Sequence, residues 1–407
     1  MRILIAWRNI WRNPRRTLAI LSAVTIGVWS MIFIGALMRG TSQQMVRNGI
    51  STLTGHIQIH HPQYRDDPVI ENSMAGLAGI SAKLSQILPS GAHVSARIRV
   101  PAVASNARHS AGLTLVGVDP EREAAVSFIG RPLAAGTYLK ADDTRGILVG
   151  RALLEKFDTA PGRKLVLMSQ DQTGEIASAA FRIRGVFTAE MEATEKQFAF
   201  VTQAAARKLL QLKTEISEVS ILLPEDHSAA ALAGQLRKQL PESDYAVADW
   251  RELLPMVTAV LSMYDYFIYI WFVVMFIAMG FGIVNTLLMA VFERLREFGL
   301  LKALGMRPGR IVAQVLTEST LLLLVGACIG STLGLLSVAL LKPGGIDLSA
   351  FASGLEFAGM SRIIYPQVLL QDVLGANVVV LVLGLLVSLY PAIKAARITP
   401  VEAMART

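Results

Sequence analysis

Four long, predominantly apolar runs, at residues 17–38, 267–292, 311–341 and 373–390, constrain this chain more than any other feature. A hydrocarbon core about 30 Å thick needs about 20 helical residues to cross it, and all four runs are near or above that length. Lipid offers backbone N–H and C=O groups no partner, so runs of this kind predict membrane-spanning helices. Composition agrees: 53% of the 407 residues are hydrophobic and 17% are charged, against about 45–50% and about a quarter in soluble domains. The net charge of +8 gathers largely at the flanks of the apolar runs. That distribution points to membrane lipid as a partner and away from nucleic acid.

The remaining segments follow from these spans. Residues 1–16 carry five arginines and no acid, interleaved with Trp7 and Trp11, which predicts an amphipathic helix at the interface with its arginines toward anionic lipid. The first apolar run exceeds a secretory h-region and lacks a clear A-x-A site, so an uncleaved span is expected. Residues 39–266 have the composition of a mixed soluble domain. Strand-like alternation recurs near 56–60, 94–103, 113–118, 165–168, 181–187, 198–201, 219–223 and 245–248, and helical patterns fall at 75–88, 121–128, 151–157, 204–212 and 228–240. These elements fit an extracytoplasmic α+β domain of one or two lobes between the first and second spans. Its ends, near 39–50 and 250–266, predict helical stalks that continue those spans. Residues 342–372 form a second outer loop and 391–407 a tail. Cys328, the single cysteine, excludes an internal disulfide and is expected as a buried packing thiol.

Residues 293–310, E-R-L-R-E-F-G-L-L-K-A-L-G-M-R-P-G-R, separate the second and third spans. Their basic excess places them on the cytoplasmic side. Leu295, Phe298, Leu301 and Leu304 recur at helical spacing, Gly305 suits a C-terminal cap, and Pro308 blocks simple continuation. The segment is either a solvated connector or a short amphipathic handle joined to two spans.

R-L-R-E-F-G-L-L-K-A-L-G-M, at 294–306, resembles the coupling-helix signature of FtsX-like/MacB-type ABC transporter permeases. W-R-N-I-W-R-N-P-R-R-T at 7–17, G-I-L-V-G-R-A-L-L-E-K-F with F-R-I-R-G-V-F in the insert, and Y-P-A-I-K-A-A-R-I-T-P-V-E-A-M at 390–404 resemble the same family. The resemblance implies that Arg294, Arg296, Glu297, Leu300, Leu301, Lys302 and Gly305 couple to an ABC ATP-binding subunit, present in two copies and carrying the ATP and magnesium. It further implies pairing with a second permease copy or a paralogue, residence in the bacterial inner membrane, and both termini in the cytoplasm. Within the family, G-H-I-Q-I-H at 55–60 resembles the lipoprotein-releasing (LolC/LolE-type) branch, implying a lipoprotein substrate and a periplasmic acceptor. A MacB-like efflux permease and a non-transporting FtsX-like transducer are the alternatives.

No enzyme is expected. The sequence contains no Gly-Lys step and so no P-loop, and it lacks G-x-S-x-G and H-E-x-x-H. His56, His60 and His61 lie close together without a neighbouring cysteine, which predicts a solvated strand edge and no metal site. Gly326, Gly330 and Gly334 form a column at four-residue spacing, suited to close helix packing in lipid. Glu318 lies inside the third span, where a carboxylate needs a polar partner, and Asn285 in the second span is a candidate.

Overall fold

The computed structural model describes residues 2–224, 229–351, 354 and 363–399. Ser228, which opens one predicted helix, and residues 400–407, which end the C-terminal motif, lie outside these. The chain divides into two compact units: residues 1–43, 261–350 and 363–407, and residues 44–260 with 351–362.

The first unit holds the greater part of four long helices, Pro14–Gly49, Pro255–Glu293, Pro308–Leu341 and Leu370–Arg397, each apolar and long enough to cross a bilayer. Three begin with proline, whose fixed φ suits a first turn and whose missing N–H would have been unpaired there. The first continues past its apolar run to Gly49 and the second starts at Pro255, so both extend as the stalk pattern predicts.

The first and third helices pack through the glycine column. A Cβ added to Gly326 would lie 2.7 Å from Val24 Cγ1, one on Gly330 2.7 Å from the Thr25 carbonyl, and one on Gly334 3.0 Å from Ile32. Thr25 Oγ1 donates to the Gly326 carbonyl at 3.3 Å across the same contact. Val24, Val28, Met31 and Ile32 are fully buried against it. Because this face points inward, Cys328 points outward and is exposed, contrary to the buried position expected for it. The helical phase set by the glycines decides this, and apolar neighbours in sequence do not.

The second unit is built on one mixed sheet. Its strands are β1 (Ile57–His60), β2 (His93–Ser105), β3 (Ser110–Val118), β4 (Ala135–Gly136), β5 (Gly146–Gly150), β6 (Lys164–Gln170), β7 (Ile176–Phe187), β8 (Phe198–Thr202), β9 (Glu218–Leu222) and β10 (Ala246–Asp249). The order is β10-β1-β9-β2-β3-β8-β5-β7-β4, with β6 bridging β2 and β7. β3 with β8 and β5 with β7 are parallel, and the other pairs are antiparallel. One core gathers Ile98, Leu115, Leu167, Phe181 and Leu210. Another gathers Phe128, Phe187 and Phe200, whose rings meet edge to face at 5.4–5.9 Å. β1 lies between β9 and β10, so His56 and His60 are buried and do not form the solvated edge expected of them. His56 Nδ1 accepts the Leu223 N–H at 3.0 Å.

A charged seam crosses this unit. Arg97 on β2 is fully buried and binds Glu123 twice, at 2.8 and 2.9 Å, and Glu218 on β9 at 3.0 Å. Ser95 donates to Glu123 at 2.6 Å. The Arg97 guanidinium also reaches the Leu53 carbonyl, which Gln58 Nε2 holds at 3.0 Å. Leu53 has a φ of 67°, in the left-handed region that β-carbon sterics disfavour. Burial pushes the Glu123 carboxyl up, but the charge and hydrogen bonds of Arg97 outweigh it and hold it below its ordinary value.

Two outcomes follow from this packing. Gly330→Leu should destabilise the full chain in detergent by at least about 1–3 kcal/mol through overpacking, whereas Gly375→Leu, with open space at its Cβ, should not lower the melting temperature. Arg97→Met leaves the buried Glu123 without a cation and Glu218 with Arg99 alone at 3.5 Å, and should cost about 3–5 kcal/mol, read by pulse proteolysis of the outer unit across a urea series. Since Glu123 titrates lower in the folded state, its contribution is complete above the unfolded value of about 4.3 and lost as pH falls through the folded one.

Candidate functional site

The charged segment between the second and third helices folds as an elbow. The second helix stops at Glu293, Arg294 leaves helical geometry, and a new helix runs Leu295–Ala303. Gly305, at φ 89°, ends it, with its N–H on the Lys302 carbonyl at 2.9 Å and the Met306 N–H on Leu301 at 2.9 Å. Only glycine takes that φ without strain, and Pro308 then starts the third helix. Phe298 is the buried anchor, packed with Val291, Ile311, Val315, Ala392 and Ala395.

Three polar ties hold the elbow. Arg294 Nη1 binds both oxygens of Glu318, at 2.9 and 3.0 Å, and its Nε donates to Glu297 at 3.1 Å. Asn9, from the N-terminal helix Arg2–Ile10, adds a bond to Glu318 at 2.9 Å. Arg12 Nη2 meets Glu297 Oε1 at 2.8 Å in an exposed pair worth about 0–1 kcal/mol. Lys302 Nζ donates to the carbonyls of Ala396 and Ile398 at 2.9 and 2.7 Å, at the end of the fourth helix. Partial burial raises the Glu297 carboxyl, but hydrogen bonds from Arg12 and Arg294 bring it below its ordinary value.

The residues singled out in the sequence thus divide into two groups. Arg294 is buried, Leu301 is half-buried, and Glu297, Lys302 and Gly305 serve the elbow's own structure. Arg296, Leu300 and Leu304 face outward, the two leucines 59% and 77% exposed. Glu318 takes Arg294 and Asn9 as partners, while Asn285, the partner expected for it, sits on an exposed helix face. Asn9 and Arg12 escaped notice because their arginine-rich segment has the pattern of a lipid-facing helix. The repeat N-I-W-R-N, placing asparagines four residues apart on one face, was the available signal. Among the described residues no three His, Cys, Asp or Glu side chains converge as metal ligands.

The elbow helix leaves Arg296 and Leu300 exposed, with Leu304 exposed at its C-terminal cap. Four apolar helices, a large α/β domain between the first and second, and this elbow between the second and third define a multi-pass membrane protein of permease architecture. Residues 17–239 match the MacB-like periplasmic core domain model and residues 269–400 the FtsX-like permease C-terminal model. The chain belongs to the FtsX-like/MacB-type permease family. It is similar to the macrolide export ATP-binding/permease protein MacB of Escherichia coli (strain K12) and to that of Shigella flexneri, each 26% identical over 432 residues. Those alignments take in 99% of this chain and 60% of each relative, so the chain spans about three fifths of their length. Among solved structures it is similar to the periplasmic region of MacB from Actinobacillus actinomycetemcomitans, at 13% identity and a TM-score of 0.36, covering 53% of this chain and 98% of that one. The extracellular domain of the Gram-positive transporter YknZ matches at 15% identity and a TM-score of 0.33, covering 47% and 99%.

Removing one partner of the buried Arg294–Glu318 pair strands a charge, whereas removing both does not. Arg294→Met and Glu318→Met should each destabilise the detergent-solubilised chain by about 3–5 kcal/mol. The double variant should lie closer to wild type than either single one, read as a thermal-unfolding double-mutant cycle.

Proposed function

We propose that this chain is the permease of an ABC transporter in the bacterial inner membrane, with both termini and the elbow in the cytoplasm. Force enters at the elbow from ATP-binding domains, two per complex, that lie outside these 407 residues and hold the ATP and magnesium. A second permease copy or paralogue completes the assembly. The observation that carries this reading is the elbow itself, where an exposed face of Arg296, Leu300 and Leu304 sits on a helix tied to three other segments. An apolar patch on a braced helix suits a partner's groove, and displacing it moves the helices to which it is bonded. The driven step is release of lipoproteins from the membrane to a periplasmic acceptor, by motion passed to the outer domain. The G-H-I-Q-I-H stretch supports this reading. Efflux of macrolide-type compounds is a second reading, favoured by the macrolide export for which the MacB relatives are named. An FtsX-like transducer is a third, and no observation here favours it.

Leu300→Glu and Leu304→Glu should abolish association with the cognate ATP-binding subunit, measured by co-purification, while leaving the melting temperature of the permease unchanged. Retained association would remove the elbow from the model. A Leu304→Cys probe in a Cys328→Ser background should react with impermeant maleimide only in inside-out vesicles. Stranding of lipoproteins in the inner membrane on depletion would separate the first reading from efflux.

A further inference from the structure

β7 has one edge without a neighbour. β6 pairs with it from Ile176 to Arg182, but on the other side pairing with β5 begins only at Arg182. The Arg182 N–H donates to the Arg145 carbonyl on that side at 2.7 Å. Strand alternation turns the N–H groups of Ala180 and Ser178 the same way, and among the described residues no strand pairs with them there.

Beside this edge lies a cavity of about 640 Å³. Ser178 to Phe181 form one wall, and part of the helix Gln203–Leu210 forms another. Five consecutive residues of one strand, Ser178 to Arg182, line it, as expected where a strand's edge rather than one of its faces borders a space. Five cations surround it, Arg145, Lys164, Arg182, Arg184 and Lys208, and no carboxylate lines it. Among the described residues only Arg184 of these five has an acidic partner within 4 Å, Asp143 at 2.9 Å. Arg182 Nη1 donates to the Gly162 carbonyl at 2.9 Å, which leaves its other N–H groups for a ligand. Lys164 and Arg182 stand directly opposite each other across β6 and β7. Like charges in that register destabilise a sheet, a cost that a bound anion would offset. Charges do guard open strand edges against aggregation. Guarding alone does not account for a cavity kept open by Ser178, Ala179, Ala180 and Ala205 beneath a ring of five cations.

We propose that this cavity binds a compact, multiply charged phosphate group, carried either by a free pyrophosphate-type anion or by a phosphorylated lipid headgroup. The guanidinium and ammonium groups supply charge-assisted hydrogen bonds, and the edge N–H groups of Ser178 and Ala180 supply fixed donors of the kind that cradle oxyanions.

Calorimetric titration of the full chain in detergent tests this, with inorganic pyrophosphate and with dihexanoyl phosphatidic acid as probes and dihexanoyl phosphatidylcholine as the neutral-headgroup control. One or both anionic probes should bind, and Lys164→Gln and Lys208→Gln should each weaken binding by about tenfold. Asp143→Asn, which releases Arg184 while keeping the oxygen that accepts the Arg145 N–H, should tighten it, an effect that misfolding cannot imitate. Saturable pyrophosphate binding with phosphatidic acid no tighter assigns the site to a free anion. Phosphatidic acid at least tenfold tighter assigns it to a lipid headgroup. Binding of neither probe, or binding indifferent to the lysine variants, overturns the proposal. So does a glutamate-rich hexapeptide that binds in preference to both probes and is lost in Ala180→Pro, which would make the edge a strand-pairing site instead.

Discussion

Glu318 sets the geometry on which the membrane unit depends. A carboxylate inside an apolar helix is tolerated only with a partner, and that partner is Arg294, with Asn9 beside it. Arg294 can reach Glu318 because the second helix ends one residue earlier and the chain turns there. The position of the break, the burial of Phe298 beneath the Arg294 guanidinium at 5.1 Å, and the seating of the N-terminal helix are three aspects of one requirement. Remove the acid, and a buried arginine keeps only the half-exposed Glu297 and the Phe298 ring as partners.

The outer unit meets a similar requirement in a different setting. Arg97 is completely enclosed, so it must be neutralised by Glu123 and Glu218 and its remaining N–H must find the Leu53 carbonyl. These partners come from β9, a short helix near residue 120 and the segment after Gly49, so one guanidinium on β2 aligns three other parts of the chain. No disulfide supports them, since the chain has one cysteine. Ion pairs of this kind add little net stability but penalise misalignment heavily.

Local pattern revealed what local physics decides. The four apolar runs, the alternation of β2, β7 and β8, the helical spacing of Phe298 and Leu301, and the stop formed by Gly305 and Pro308 all depend on neighbours within a few residues. What stayed hidden depends on partners far along the chain. His60 resembles an edge residue until β9 and β10, more than 150 positions away, close over both sides of β1. Arg97 and Arg99 alternate with apolar residues as a solvated strand face would, and only the fold reveals that Arg97 is enclosed. Cys328 and Asn285 were misplaced for a smaller reason: apolar surroundings in sequence do not reveal which way a helix is rotated.

The ammonium of Lys302, closed over the last carbonyls of the fourth helix, has a consequence for timing. With Arg294 bonded to Glu318 of the third helix and Arg12 reaching Glu297 from the N-terminal segment, the elbow is tied to three other parts of the chain. On the proposed reading, a displacement applied to the elbow is shared at once among those three segments, so a lag between nucleotide hydrolysis and motion of a cargo would arise elsewhere.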